Sequence, residues 1–596
     1  MRIRRLTATA AAGLLVLLGV GVGGAAGAGA AAAHAATSPD PRAQIRDLVG
    51  AMTLEQQVGQ LFVTYVYGDS ATTADPAYTT QNHALYGVDT GAQVVDKYHL
   101  GGVIYFTWSG NLAGPTQIAA LSNGLQQAAG GTPLLISTDQ EGGNVTRIGA
   151  PLAVSPGNMA IGATFSPADS LAMSHATGAQ LKALGIDVDD APVVDTNTNP
   201  ANSADGPRSF GDRAVPVSAM SAASVLGYQS AGIAATAKHF PGLGSTSINT
   251  DNGIAVTDET RAQFDANDLP PFRDAVAAGV DEIMAAHIVA PSLDPTGAPA
   301  SLSKPIVTDL LRGTLHYNGV VVTDALSAAA LQNVDPPERA VEAVEAGDDQ
   351  LLMPTNLADA ENAVLAAVHS GRLTEQRIDQ SVTRILSLKQ RLGLLQNSQV
   401  DVSKAASSVG TPSQNAVAAK TATDSITLVR NQTGTLPLTE NTGKHTLITG
   451  WGAGTTQTLT SSIAAHGVTT QRVYTGSNPN PAAIAAAVDA ANASDQVVVT
   501  TDNAWGDAGQ QALVQALLST GKPITVVSLG GPYDLANFDS AATYVAAYGY
   551  QPDTLAALVA MLFGEQPRGH LPVTIHRADD QTQILEPYGT GLGYPR

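Results

Sequence analysis

Pro133-Leu134-Leu135-Ile136-Ser137-Thr138 runs directly into Asp139-Gln140-Glu141-Gly142-Gly143. An apolar run too short for a helix ends in charged side chains and then in two glycines. A strand buried on both faces reads this way where its C-terminal end opens onto a site. The pattern recurs along the chain. Ala191–Val194 ends in Asp195-Thr196-Asn197, Ile233–Ala237 in Lys238-His239-Phe240-Pro241-Gly242, Glu282–Ala286 in His287, and Gly319–Thr323 in Asp324. Gly102–Phe106, Gly185–Val188 and Asp349–Met353 are further short apolar runs of the same kind. Between them lie helical patterns at Gln117–Ala129, Ala168–Leu184, Ser218–Ala231 and Pro336–Ala346. Roughly eight strand-plus-helix units between Ser38 and Gly393 predict an α/β fold, a (β/α)8 TIM-type barrel. A doubly wound open sheet alternates in the same way, so periodicity alone leaves closure open.

A second alternation follows, with strands at Ile426–Val429, Thr446–Thr449, Gln496–Thr500, Pro523–Ser528 and Thr543–Ala547. Helical patterns at Pro481–Ala491, Gly509–Ser519 and Pro552–Phe563 separate some of them, which predicts a smaller C-terminal α/β sandwich. The expected division is a barrel over residues 38–395, a polar linker over 396–415 and the sandwich over 416–596.

Composition narrows the function. The 596 residues hold 30 Lys+Arg against 51 Asp+Glu, a formal charge of −21, and no cysteine. The acidic surplus argues against nucleic acid and against anionic lipid surfaces, both of which need clustered Lys and Arg. Zero cysteine excludes disulfides, Cys-zinc sites, thiol nucleophiles and a Cys-linked lipid anchor. Arg2, Arg4 and Arg5 precede an apolar run from Ala8 to Ala33, and Ala33-His34-Ala35 offers small residues for cleavage. These are the parts of a secretory signal peptide over residues 1–35, so the expected product is secreted and has no membrane contact after cleavage.

In a barrel, residues just after each strand point to one face. Asp139, Arg147, Asp195, Arg208, Lys238, His239, His287 and Asp324 all stand at or near such ends. Singly, an Asp there is more often a helix cap, and His287 a satisfied core histidine. Together they bring both signs of charge to one mouth, which suits a neutral polyol such as a sugar. There is no P-loop and no metal-ligand spacing, so neither cofactor nor metal is expected.

These segments resemble the family 3 glycoside hydrolases, in the branch of bacterial β-N-acetylhexosaminidases. Met52-Thr53-Leu54-Glu55-Gln56-Gln57-Val58-Gly59-Gln60-Leu61-Phe62 looks like the family's opening helix. Asp139–Gly143, Arg208-Ser209-Phe210-Gly211 and Lys238–Gly242 look like its sugar-binding signatures, and Val322-Thr323-Asp324-Ala325-Leu326 like the segment that bears its nucleophile. The resemblance implies a retaining mechanism with Asp324 as nucleophile. It also implies that Asp139, Arg147, Arg208, Lys238 and His239 hold the hydroxyls of the terminal sugar.

One motif departs from that branch. After Lys-His-Phe-Pro-Gly the branch carries an acid/base His preceded, two residues earlier, by an orienting Asp. Here the run is Leu243-Gly244-Ser245-Thr246-Ser247-Ile248-Asn249-Thr250-Asp251, with Asp251 at the acid/base position and Asn249 at that of its partner. Three readings stay open: Asp251 is the general acid, supported by Asn249; the acid is Asp502 or Asp507 of the second domain; or Asn249 and Asp251 form an Asx-turn in a non-catalytic glycan-binding protein. The implied function is an exo-β-N-acetylhexosaminidase acting on N-acetylglucosamine-containing glycans such as peptidoglycan or chitin fragments. A β-glucosidase-type hydrolase is the alternative within the family.

Overall fold

A computed structural model describes residues 40–595; the expected signal peptide and its cleavage site lie outside the described residues. Eight parallel strands form the first sheet: β1 (Phe62–Thr64), β2 (Gly102–Ile104), β3 (Leu135–Thr138), β4 (Val188–Asp189), β5 (Ala234–Phe240), β6 (Glu282–Ala285), β7 (Val320–Thr323) and β8 (Leu351–Leu352). Their order is β8-β1-β2-β3-β4-β5-β6-β7. A parallel bridge between Val322 and Gln350, with the Thr323 N–H donating to the Gln350 carbonyl at 3.0 Å, joins the two ends. The sheet is therefore a barrel rather than the open alternative.

The period of two along each strand sorts its residues by height and face. On β7, Val321 packs outward against the helices, while Val320 and Val322 point inward. Val320 meets Leu135, Val188 and Ala234 over Ile385 and Leu388 of helix Glu375–Arg391, which plugs the lower end. Val322 joins Val63, Ile104, Phe106, Met284 and Leu352 in an upper layer. The next inward position above Val322 is Asp324. The same count on β3 runs Leu135, Ser137, Asp139, and on β2 runs Gly102, Ile104, Phe106, Trp108. The alternation thus carries these side chains to the mouth.

Two strand boundaries differ from the sequence expectation. Ala191–Val194 is not a separate strand. Pro192 has no N–H and breaks the ladder, but Thr236 and Lys238 still donate to the carbonyls of Ala191 and Pro192 at 2.9 and 3.2 Å. Residues 188–194 therefore run beside β5 as one interrupted strand. The missing eighth strand is β1. The opening helix is only Leu54–Gly59, capped by Thr53 in a capping box with Gln56, and Phe62–Thr64 leaves it for the barrel.

The second sheet holds β9 (Thr427–Asn431), β10 (His445–Gly450), β11 (Thr469–Tyr474), β12 (Gln496–Thr501), β13 (Ile524–Ser528) and β14 (Thr543–Ala546). In the order β9-β14-β13-β12-β10-β11 all neighbours are parallel except β9 and β14. Alternate residues feed two cores: Leu447, Val497 and Val526 on one face, Ile448, Val498 and Val527 on the other. This is the expected sandwich. Strand β11 escaped the sequence reading because it is an edge strand with no fully buried residue. Residues 396–415 carry helix Val402–Ser408 and the start of helix Pro412–Ser425, with Ala405 and Val409 buried.

The sandwich supports the barrel loops from behind. Gln551 Nε2 donates to the Gly143 carbonyl, Asn197 Nδ2 to Tyr533 Oη at 3.0 Å, and the Thr574 N–H to Asp212 at 2.6 Å. Among the described residues no helix is long and apolar enough to cross a membrane.

Candidate active site

A cleft of about 510 Å³ opens at the C-terminal end of the barrel strands. The expected nucleophile Asp324, the acid candidate Asp251 and the five expected sugar-binding residues Asp139, Arg147, Arg208, Lys238 and His239 all line it. Asp502 and Asp507 do not. Asp507 caps helix Ala508–Leu518 by accepting from the Gln510 N–H, and Asp502 stands beside Gly530 in the sandwich.

Lys238 is the hub of the floor. It is 2% exposed, and its Nζ lies 2.9 Å from Asp139 Oδ1 and 2.8 Å from Glu141 Oε1. Arg208 meets Glu141 bidentately, Nε to Oε2 and Nη2 to Oε1, both at 2.8 Å, and Arg147 Nη2 reaches Asp139 Oδ2 at 3.1 Å. Two carboxylates and three cations thus share one polar floor. Burial alone would raise both carboxyl pKa values. Lys238 and Arg147 overcome it at Asp139, and Arg208 and Lys238 at Glu141, holding both below the usual carboxylate range. Burial works against the Lys238 charge, but Asp139 and Glu141 outweigh it and raise its pKa.

His239 is held by Asp195. Both oxygens of Asp195 accept from the His239 N–H, Oδ2 also accepts from Nδ1 at 2.8 Å, and Oδ1 accepts from the Leu243 N–H at 2.9 Å. This fixes the ring with Nε2 toward Arg208, 3.4 Å from Nη2. Asp205 stands 4.0 Å from His239 Nδ1, and burial together with the Asp195 charge pushes it up to about 7. Among the described residues, Asp195, Asp205 and His239 are the group that could hold a cation, their ligand atoms lying within 4.8 Å of one another. Asp195 and His239 already face each other through a hydrogen bond, which a cation would have to replace.

The two remaining aspartates differ in state. Asp324 stands at the end of β7 with its Oδ1 accepting from the Ala325 N–H at 2.7 Å. Burial would raise its pKa, but His287 and His239, that N–H and Lys238 outweigh it, and the carboxyl stays below its ordinary value. Asp251 is shifted the other way, first by desolvation within the cleft and then by the Asp324 charge. The residue as a whole stays exposed at the rim.

Asn249 does not hold the Asp251 carboxyl in the way the sequence reading allowed. Its Oδ1 accepts from the Asp251 N–H at 2.8 Å, an Asx-turn in which it shapes the backbone. The turn is pinned to the segment after Asp324: the Ala330 N–H donates to the Thr250 carbonyl at 3.0 Å and the Ala329 N–H to that of Asp251 at 3.4 Å. His287 is a satisfied buried histidine. Its Nε2 donates to the Ala325 carbonyl at 2.9 Å, and its Nδ1 pairs with Ser301 Oγ at 2.7 Å, while burial lowers its pKa.

The sequence reading missed Glu141 as a member of the floor, although it stands inside the quoted Asp139–Gly143 run. It also gave no role to Asp195 beyond a strand-end position. The fold and site together are those of a (β/α)8 barrel protein with a charged cleft, floored by two carboxylates and three cations, at the C-terminal end of its strands.

Comparison with known proteins agrees. The glycosyl hydrolase family 3 N terminal domain matches residues 53–388, and the glycosyl hydrolase family 3 C-terminal domain matches residues 426–594. The beta-hexosaminidase A of Pseudoalteromonas piscicida is 32% identical over 548 residues, covering 81% of this chain and 91% of the relative. A beta-N-acetylglucosaminidase/beta-glucosidase of Cellulomonas fimi is 30% identical over 571 residues, covering 90% and 96%. The solved structure of a glycoside hydrolase family 3 beta-N-acetylglucosaminidase from Paenibacillus sp. str. FPU-7 superposes with a TM-score of 0.78 at 36% identity, covering 88% of this chain and 99% of that one. The chain belongs to glycosyl hydrolase family 3: it is an enzyme that hydrolyses O-glycosyl bonds, and its substrate is a carbohydrate.

Proposed function

We propose that the protein is an exported, retaining exo-β-N-acetylhexosaminidase that removes terminal N-acetylglucosamine from glycans such as peptidoglycan or chitin fragments. The observation that carries this reading is the split between two aspartates that line one cleft: the surroundings of Asp324 lower its pKa and those of Asp251 raise it. Two carboxyls whose surroundings push their pKa values apart are suited to opposite roles.

In this mechanism an Asp324 oxygen attacks the anomeric carbon while Asp251 gives its proton to the departing glycosidic oxygen. The C1–O bond to the leaving sugar breaks, and an ester to Asp324 forms. Asp251, now a carboxylate, takes a proton from water. That water attacks C1 and frees Asp324. Asp139, Arg147, Arg208, Lys238 and His239 hold the hydroxyls of the buried sugar. Residues 38–395 carry the chemistry, and residues 416–596 support the loops. Support for the substrate comes from the three similar proteins described above, all of which are named for hexosaminidase or N-acetylglucosaminidase activity. The double name of the Cellulomonas fimi relative favours β-glucosidase activity as the second reading.

The test is trapping with a fluorinated N-acetylglucosaminyl donor whose glycosyl-enzyme ester hydrolyses slowly, followed by peptide mapping. The expected label is on Asp324. A label on another carboxyl, or inversion at the anomeric carbon on natural substrate, overturns the mechanism.

A further inference from the structure

Trp108 is the one large aromatic side chain of the cleft that the polar floor does not use. It is 53% exposed, an unusual state for tryptophan, yet its surroundings are built to hold it. Its ring stacks on Phe106 at 4.9 Å between centroids and 17° between planes, and it meets Tyr65 edge-on at 4.7 Å and Tyr67 at 5.8 Å. The two loops that carry these four rings are tied together. Buried Asn111 donates through Nδ2 to the carbonyls of Val66 and Gly68 at 3.0 and 2.8 Å, and the Gly68 N–H donates to the Ser109 carbonyl at 3.0 Å. Side-chain stacking and backbone pinning together leave the indole pre-oriented.

The wall it forms is continuous with the polar floor. The Arg147 guanidinium lies over the Phe106 ring, 5.5 Å from its centroid, and the same guanidinium binds Asp139. Trp108, Phe106, Arg147 and Asp139 therefore form one ordered run from the rim to the floor. The floor is buried and charged, suited to the hydroxyls of one sugar. The rim is aromatic and wet, suited to the apolar C–H face of the next. An enzyme that binds the terminal sugar at the bottom holds the leaving sugar at the mouth.

We propose that Trp108 is a specificity-determining residue that stacks on the leaving-group hexopyranose of a β-linked oligosaccharide. The inference rests on the proposed placement of the terminal sugar over Asp139 and Lys238. Its consequence is selectivity for glycosides whose leaving group is itself a pyranose ring over those with a ringless one.

The test compares wild type, Trp108→Ala and Trp108→Phe on N,N′-diacetylchitobiose and on N-acetylglucosaminyl fluoride, whose leaving group has no ring. The alanine variant is expected to lose about tenfold more kcat/KM on the disaccharide than on the fluoride, about 1.4 kcal/mol. Trp108→Phe should recover part of that difference. Equal losses on both substrates overturn the proposal. A binding arm needs no turnover: Asp324→Asn protein is titrated with N,N′-diacetylchitobiose, cellobiose and the two monosaccharides, and tryptophan fluorescence is followed. A fluorescence change with at least one disaccharide, absent with its monosaccharide and absent when Trp108→Phe is added, supports the stacking role. The same response in both backgrounds, or none with either disaccharide, overturns it. Turnover of neither N-acetylglucosaminyl substrate by wild type contradicts the proposed activity, while the binding arm still decides the role of Trp108.

Discussion

Replacing Glu141 by alanine removes the carboxylate that links the two most buried cations of the floor. Glu141 accepts two Arg208 hydrogen bonds and contacts Lys238, all at 2.8 Å. Charge-assisted bonds contribute about 1.5–3 kcal/mol each, but they do not simply add. Arg208, whose side chain is one-fifth exposed, can regain water, and Lys238 keeps Asp139. The net loss is that of breaking one buried pair, about 3–5 kcal/mol. At about 2 °C per kcal/mol for a large domain, the barrel's melting temperature should fall by about 6–10 °C. The sign of the pH dependence follows from the depressed Glu141 pKa. Its contribution is present in full above the unfolded carboxyl range and is lost as pH falls toward the folded value. The difference between wild type and Glu141→Ala should therefore be full at pH 7 and shrink on acidification. Thermal unfolding at pH 7 and pH 4, together with KM at pH 7, checks this. A drop below about 2 °C with an unchanged KM would refute the claim that Glu141 positions Arg208 and Lys238.

Other perturbations probe separate parts of the fold. Lys389 is fully buried, donates to Gln60 Oε1 at 2.6 Å, and is pushed down by burial to about 7. The unfolded chain holds that proton to about pH 10, so stability relative to Lys389→Met should rise by about 1.4 kcal/mol per pH unit from pH 7 upward; denaturant titrations at pH 7, 8 and 9 would show it. At Gly242 the backbone is at φ +138°, and a Cβ would stand 2.6 Å from Asp268 Oδ1. Gly242→Ala should cost about 1–3 kcal/mol in chemical denaturation and lower kcat by displacing the loop that bears Asp251. In pH–rate profiles the alkaline limb of kcat/KM should lie above the ordinary carboxyl range, because desolvation and the Asp324 charge raise the Asp251 pKa, and Asp251→Ala should abolish that limb.

Much of the barrel is written locally. Val320-Val321-Val322-Thr323 is apolar throughout because both its faces are covered, and Asp324 stands two positions above Val322 on the inward row. Three-residue strands carry no period to read, which is why Phe62–Thr64 merged with the helix before it. Pro192 made one irregular strand look like two. The same limit applies to the site. Strand-end charges mark the mouth, but their pairings depend on distant partners: Glu141 needs Arg208 and Lys238, and His239 needs Asp195, five residues supplied by four separate segments of the chain. Trp108 follows an apolar strand with no charged signal, and only the packing of Tyr65, Tyr67 and Phe106 around it reveals a built surface.

Two aspartates dividing the chemistry is the central claim, and the leaving-group dependence of Asp251→Ala tests it most directly. A poor leaving group such as a sugar or methanol must be protonated as it departs, whereas an activated phenol leaves as its anion. Asp251→Ala should therefore lose about 10²–10⁴-fold in glycosylation of the enzyme on the poor leaving group and stay close to wild type on the activated one. Wild-type rates on both substrates, or equal losses on both, would contradict the assignment of Asp251 as the acid.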